Sequence, residues 1–219
     1  MATEPFVSKM SLALLGGTFD PIHTGHTGIA KYLFEHLKVD ELRFVPCGRS
    51  CHKQTPVVSN QHRLAMLEIA LKQHPQLTLQ TNELDTSAPS YTIDTLRLVR
   101  AQIGSKRSLF MCIGMDAFST LHKWKEWKNI LDYANIVVVS RANASFPISE
   151  ALVEWIRKNE CSSIEKLLKM TCGVLYFCNS TPIYGSSTEI RRLKKQRFDI
   201  KKYVTPAVEK YITENNLYC

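Results

Sequence analysis

The sequence predicts an α/β protein: a doubly wound, mostly parallel sheet with helices at its C-terminal end. Three observations carry this. Short apolar runs alternate with stretches of helical periodicity along most of the chain. That βαβα rhythm is the pattern of a sheet covered by helices. And a glycine-rich turn follows the first run, where sheets of this class bind ligands.

Element by element, Leu12-Ala13-Leu14-Leu15 reads as a buried strand. Further strands are expected at 42–45, 77–79, 109–113, 136–140 and 174–177, and Cys112 sits in one of them, where a free thiol packs well. Helical periodicity runs through 27–37, 61–73, 91–103, 117–131 and 150–169. Residues 143–149 are the expected mobile loop. From about Ser187 onward the chain reads as helices. There Thr205 is placed as an N-cap with Pro206 in the first turn, and residues 207–215 have helical spacing. No Pro-, Gly- or Ser-rich linker divides the chain, so residues 1–219 are expected to form one domain, and no internal repeat is found.

The bulk properties narrow the function classes. The chain has 219 residues, 44% hydrophobic and 22% charged, which suits a globular protein with ample core. Runs such as Ile136-Val137-Val138-Val139 are too short to span a membrane, and no secretory signal opens the chain. Seven cysteines form no regular framework. Cys47, Cys51 and His52 echo a metal site weakly, without a second pair to complete it. A reducing cytoplasm is the expected compartment. The net charge of +8 admits nucleic-acid binding or attraction of small polyanions. Much of it lies in Arg191-Arg192-Leu193-Lys194-Lys195-Gln196-Arg197, with no zinc-finger or RNP-type aromatic pattern beside it, so small polyanions are expected and nucleic acid is not.

The stretch Gly16-Gly17-Thr18-Phe19-Asp20-Pro21-Ile22-His23-Thr24-Gly25-His26 joins the first strand to the first helix. Glycines at a strand end allow a sharp turn and close approach of backbone N–H groups to a ligand. A helix N-terminus offers unpaired donors and partial positive charge to phosphate. Gly25 leaves one side of the site free of a side chain. His23 and His26, three apart, fall on one helical face, where two imidazoles can donate to phosphate oxygens. The same spacing suits metal ligands, but no third ligand stands out in the sequence. A second cradle is Gly185-Ser186-Ser187-Thr188-Glu189-Ile190-Arg191. Hydroxyls at a helix start cap its N–H groups or bind an anion there, and Arg191 follows one turn later.

These motifs resemble those of the nucleotidyltransferases. The first is similar to G-[TS]-F-[DN]-P-x-H-x-G-H, and the second to I-S-[ST]-[ST]-x-[IV]-R, with Gly185 in place of the usual isoleucine. That replacement is expected to loosen local packing. The resemblance implies a Rossmann-like nucleotidyltransferase fold that binds ATP through Gly16, Gly17, Thr18, Phe19, His23, Gly25, His26, Ser186, Ser187, Thr188 and Arg191. It also implies that His23 and His26 are catalytic and that Mg²⁺ rides on the ATP phosphates.

Further segments narrow the family. Pro89-Ser90-Tyr91-Thr92, Ile113-Gly114-Met115-Asp116 and Leu121-His122-Lys123-Trp124-Lys125-Glu126-Trp127 resemble segments of the bacterial nicotinate mononucleotide adenylyltransferases. Phosphopantetheine adenylyltransferases are shorter and lack the first and last of these. Cys51-His52-Lys53 is close to the family's P-H-[KR], and Arg63 falls in its R-x-x-M-[LV] helix. Ser140-Arg141 is similar to the family's R-P-G strand end, with Ala142 and Asn143 replacing proline and glycine. Read alone, each is also explained as a helix cap or as core. Together the resemblance implies that Gly114 and Asp116 face ATP, and that Lys53, Ser90, Tyr91, Thr92, Trp124 and Lys125 bind nicotinate mononucleotide. Trp124 would stack on the pyridine, and amides near Thr92 and Lys125 would take its carboxylate. The expected reaction is adenylyl transfer from ATP to nicotinate mononucleotide, giving nicotinate adenine dinucleotide and pyrophosphate. A homo-oligomer is compatible with the sequence. Preference for nicotinamide mononucleotide, use of CTP and a basic nucleic-acid module stay open as alternatives.

Overall fold

Six strands, β1 (Ser11–Gly17), β2 (Glu41–Pro46), β3 (Leu77–Leu79), β4 (Ser108–Gly114), β5 (Asn135–Arg141) and β6 (Leu175–Ser180), form one parallel sheet. Their order is β3-β2-β1-β4-β5-β6. The structure is a computed structural model that describes residues 11–48, 55–84, 89–141, 147–180 and 185–219. Each predicted run is a strand, most of them a residue or two longer than expected. Chain order runs outward from the β1–β4 boundary in both directions. A crevice therefore opens at the carboxyl ends of these two strands, between Gly17 and Gly114.

Among the described residues, eight α-helices cover the sheet: α1 (Thr24–His36), α2 (Asn60–Leu71), α3 (Thr92–Ile103), α4 (Met115–Phe118), α5 (Glu150–Asn159), α6 (Ile164–Lys169), α7 (Ser187–Lys195) and α8 (Pro206–Glu214). The pleat divides the core in two. Ala13 and Leu15 pack with Ala30 and Leu33 of α1, Met66 and Leu67 of α2, and Val208 and Ile212 of α8. Leu12 and Leu14 point the other way, to Ile93, Leu96 and Val99 of α3 and Leu152 and Trp155 of α5. Thr205 caps α8 as expected, accepting from the Val208 N–H at 3.3 Å. No helix among the described residues is long and apolar enough to cross a membrane.

Two predicted helices are broken. Residues 117–131 are not one helix. The chain passes from α4 into two short 3₁₀ turns, Leu121–Lys123 and Trp127–Asp132. Trp124 is extended (φ −77°, ψ 149°) and Glu126 left-handed (φ +50°), which no α-helix accommodates. What the segment gains is contact with α3: Arg97 pairs with Glu126, and Lys125 Nζ lies 3.1 Å from Asp94 Oδ2. Residues 150–169 split at Glu160, where the backbone turns extended and bridges Leu175. The Cys161 N–H donates to the Leu175 carbonyl at 2.7 Å, so sheet pairing replaces a helical turn. In both places tertiary partners override helical periodicity.

Chain ends are tied together at Asp20, whose carboxylate is buried at 2% exposure. Its Oδ1 accepts from the Tyr218 hydroxyl at 2.6 Å and its Oδ2 from the Val57 N–H at 2.7 Å. The Asp20 carbonyl accepts from Arg191 at 2.7 Å. Burial, and then the Asp20 carboxylate, hold the Tyr218 phenol well above its usual pKa. The peptide bond to Pro21 is cis. Beside it, the Thr24 N–H and hydroxyl both donate to the Tyr203 carbonyl, at 2.8 and 3.0 Å. Tyr218→Phe removes a charge-assisted donor from a buried carboxylate, so it is expected to cost about 1.5–3 kcal/mol of unfolding free energy. Urea titration reads this directly, and a change under about 0.5 kcal/mol, the range of an ordinary surface substitution, contradicts it.

Candidate active site

At the end of β1 the chain has almost no room for side chains. A Cβ on Gly17 would lie 2.6 Å from the Phe19 ring, and one on Gly16 3.0 Å from Met111. Phe19 itself is left-handed (φ +51°), which folds its ring back into the core. The ring meets Phe44 at 5.3 Å and the edge of His26 at 4.9 Å between centroids. Arg63 of α2 holds the turn from beneath. It is wholly buried, and its guanidinium donates to the carbonyls of Thr18 and Cys47 and to Asn60 Oδ1, each at 2.7 Å.

His23 is the extended N-cap of α1, and His26 sits three residues into the helix. The rings stack at 3.7 Å between centroids, 30° from parallel. The His23 backbone N–H donates to His26 Nδ1 at 3.3 Å. That bond makes Nδ1 an acceptor, which leaves Nε2 to carry the proton of the neutral ring. His26 is half-buried and Gly25, beside it, is buried. The pair therefore stands at a helix start with one defined donor atom.

The second motif packs against the first. Gly185 has φ +122°, and a Cβ there would lie 3.4 Å from His23 Nδ1 and 3.6 Å from the Tyr203 ring. The backbone there adopts a conformation that favours glycine, and a Cβ would stand at ordinary van der Waals distance from the histidine ring. Ser186 caps α7, accepting from the Glu189 N–H at 3.1 Å. The Ser187 hydroxyl donates to the Pro21 carbonyl at 3.0 Å. Arg191 reaches the Asp20 carbonyl and, at 3.3 Å, the exposed Thr188 hydroxyl. Two helix starts some 160 residues apart in sequence thus adjoin one turn.

A cavity opens on the other side of that turn. Its walls include Gly16 and Gly17 from the turn, Ser90, Tyr91 and Thr92 from the start of α3, and Trp124 and Lys125 from the broken segment. All five residues expected to take the second substrate, among those described, therefore share one cavity with the glycines. His23, His26, Ser186, Ser187, Thr188 and Arg191 are not in its walls. Asp116, exposed at the carboxyl end of β4, folds back so that a Cβ on Gly114 would lie 2.5 Å from its Oδ1. Lys53, Tyr184 and residues 143–146 lie outside the described residues. The six described cysteines are free thiols, and no group of three or more His, Cys, Asp or Glu among the described residues is placed to hold a metal ion.

Sequence reasoning missed three supports of the site. The Asp20–Tyr218 pair spans 198 residues, and Arg63 read only as part of a helix that packs on the sheet. Glu83 carried no signal at all. It lines the cavity at 8% exposure and accepts from the Thr95 hydroxyl at 2.8 Å. Its carbonyl crowds Gly48 so closely that a Cβ there would lie 2.0 Å away. Burial pushes the Glu83 carboxyl above the usual range, against the opposing pull of Thr95, Ser90, the Gly48 amide and Arg63.

Residues 14–193 match the family model described as Cytidylyltransferase-like. A Marinomonas sp. (strain MWYL1) protein named "Probable nicotinate-nucleotide adenylyltransferase" is 36% identical over 97% of this chain and 96% of its own length. A protein of the same name from Pseudomonas aeruginosa (strain UCBPP-PA14) is 40% identical over 94% of this chain and 96% of its own. Among solved structures, Plasmodium falciparum nicotinic acid mononucleotide adenylyltransferase complexed with NaAD superposes with a TM-score of 0.70. It covers 95% of this chain and 97% of its own at 22% identity, a likeness of fold.

The raised Glu83 carboxyl has a pH signature. A carboxyl that binds its proton more tightly when folded stabilises the fold fully below its ordinary value of 4.5, and loses that contribution as pH rises through the raised value. The stability of the native chain relative to Glu83→Gln is therefore expected to fall as pH rises from 4.5 toward neutrality. A difference constant across that range, in urea titrations at successive pH values, contradicts the reading.

Proposed function

The chain belongs to the cytidylyltransferase-like family, and within it to the nicotinate-nucleotide adenylyltransferases; from that premise we propose that it transfers the adenylyl group of ATP to nicotinate mononucleotide. The products are nicotinate adenine dinucleotide and pyrophosphate. The observation that supports this most is the Ser187 hydroxyl donating to the Pro21 carbonyl at 3.0 Å. It brings two anion-favouring helix starts to one turn, and that turn forms a wall of the cavity lined by Trp124.

No protein nucleophile is required. The mononucleotide phosphate is already an anion at neutral pH, and one of its oxygens attacks the α-phosphorus of ATP in line. The new P–O bond forms as the bond to the β-phosphate oxygen breaks, and pyrophosphate leaves with the electron pair. Catalysis then rests on positioning and on neutralising charge. His26 Nε2–H donates to an α-phosphate oxygen, with His23 beside it. Gly16, Gly17, Thr18, Phe19 and Gly25 let backbone donors approach. Ser186, Ser187, Thr188 and Arg191 take the outer phosphates at the α7 start, and Gly114 and Asp116 border the nucleotide.

Trp124 stacks on the pyridine, and the amides of Thr92 and Lys125 take its carboxylate, with Ser90 and Tyr91 forming the wall between. Lys53 adds charge at the mononucleotide phosphate. The residues present fit a Mg²⁺ carried by the triphosphate: Asp20 already spends both carboxylate oxygens on Tyr218 and Val57, and Asp116 is the exposed carboxyl at the crevice. When bound, that ion offsets charge on the phosphates. This reading takes residues 1–219 as one nucleotidyltransferase domain acting in the cytoplasm, with no nucleic-acid or membrane partner.

Pyrophosphate release with ATP and nicotinate mononucleotide is expected to exceed that with CTP by at least tenfold in kcat/KM. Equal or better use of CTP contradicts the reading. His26→Ala is expected to lower kcat about a hundredfold or more, the scale of one lost transition-state donor. Near-normal turnover in that variant removes His26 from the mechanism.

A further inference from the structure

The net charge of the chain is concentrated in one place. From Arg191 to Lys202 stand seven basic side chains and one acidic, so twelve residues hold +6 of the net +8. Little of that charge is neutralised. Glu189 pairs with Arg192 at 2.7 Å, while Asp199 Oδ1 accepts from the Lys201 backbone N–H at 2.8 Å. Lys194 Nζ lies 3.0 Å from the Thr213 hydroxyl, a neutral partner. Among the described residues no carboxylate lies within ion-pair distance of Lys195, Arg197 or Lys201, and all three are exposed.

Cations in the last turn of a helix complement its dipole, which accounts for Arg192, Lys194 and Lys195. It does not account for the rest. Arg197 lies beyond the Gln196 C-cap at φ +62°, in the left-handed region that favours glycine. Its N–H donates to the Lys194 carbonyl and the Phe198 N–H to the Leu193 carbonyl, each at 2.9 Å, a closure that helices commonly make with glycine. A charged side chain thus stands where glycine would end the helix with less strain. Lys202 also lies outside α7, and the chain returns it to the site. Its Nζ sits 4.7 Å from the centre of the Tyr203 ring, and a Cβ on Gly185 would lie 3.6 Å from that same ring. The hydrogen bond from Arg192 holds the Glu189 carboxyl below its usual range, and Lys202 adds to the pull. Charge on this ridge is therefore felt in the first turn of α7, where Glu189 stands.

Lys195 is eight residues beyond Ser187, about 12 Å along the helix axis. The screening length is about 10 Å at 0.1 M salt. Charge at that range acts on an anion that approaches, without touching one that is bound. We infer that the ridge formed by Lys195, Arg197, Lys201 and Lys202 collects the nucleoside triphosphate and steers it to the α7 start, raising the rate at which it binds. This inference rests on the adenylyltransferase reading above, which sets the triphosphate at that helix start. It adds to that reading a set of residues that act on encounter alone.

Steering and direct contact leave different kinetic traces. A lost contact speeds dissociation and persists in salt, whereas a lost steering charge slows association and is screened away. The triple variant Lys195→Gln, Arg197→Gly, Lys201→Gln removes three of these charges. Its test is stopped-flow binding of a ribose-labelled fluorescent ATP with Mg²⁺, at about 0.05 M and about 0.5 M salt. At the lower salt the association rate constant is expected to fall at least about threefold, with dissociation and kcat within twofold of native. At the higher salt the two proteins are expected to converge. If thermal melting shows that the triple variant unfolds, Arg197→Gly with Lys201→Gln takes its place, since the backbone at 197 favours glycine; a loss of about twofold is then expected. A variant that associates as fast as the native protein at low salt, or whose loss lies in dissociation or is equal at both salts, overturns the inference. It leaves the adenylyltransferase reading intact, which pyrophosphate release by the native protein reports separately. Native protein that releases no pyrophosphate from ATP with either mononucleotide overturns both.

Discussion

Three stretches of chain that lie far apart in sequence meet at the carboxylate of Asp20. One oxygen takes the hydroxyl of Tyr218, next to the last residue, and the other takes the amide of Val57, just before α2. The carbonyl of the same residue takes Arg191 from α7. A buried carboxylate is costly unless its oxygens are satisfied, so these partners are held to it, and with them the segments that carry them. The turn between β1 and α1 is thereby fixed on its outer side. Arg63 fixes it from within, through the carbonyls of Thr18 and Cys47. A short, glycine-rich link that would otherwise cost much conformational entropy to order is held ready for its ligand.

That constraint explains how the site divides. On one side of the turn lie two helix starts, the stacked imidazoles and a row of hydroxyls, all donors suited to phosphate. On the other lies a cavity with a tryptophan, a tyrosine and a methionine in its wall, suited to a flat ring. The turn is the shared wall. Gly16 and Gly17 leave that wall without side chains. The proposed reaction assigns the mononucleotide to one half and the triphosphate to the other.

Much of this was legible in the sequence, and the limits have physical causes. The strands were readable because each is an unbroken apolar run, and the doubly wound order follows from their alternation with helices. The two motifs that meet at the β1–α1 turn were readable because each is local: glycine, hydroxyl and histidine at fixed spacing beside a helix start. The breaks at Trp124 and Glu160 were not, because they depend on partners elsewhere, Asp94 and Arg97 in one case and Leu175 in the other. The backbone requirement at Gly185 was not legible for the same reason. Its left-handed backbone exists only in the folded chain. Tyr218, Arg63 and Glu83 bear on the site through pairings at a distance, and their own sequence neighbourhoods say nothing of it.

The central claim is that the imidazole pair and the α7 start grip one triphosphate. A double-mutant cycle on the binding of a non-hydrolysable ATP analogue tests it most directly, with His26→Ala, Arg191→Ala and the pair measured by calorimetry. Residues that hold the same bound anion are coupled, so the losses are predicted to be non-additive by about 0.5–3 kcal/mol. Losses that add within about 0.3 kcal/mol would mean that the two groups act on separate sites, and the account would fail.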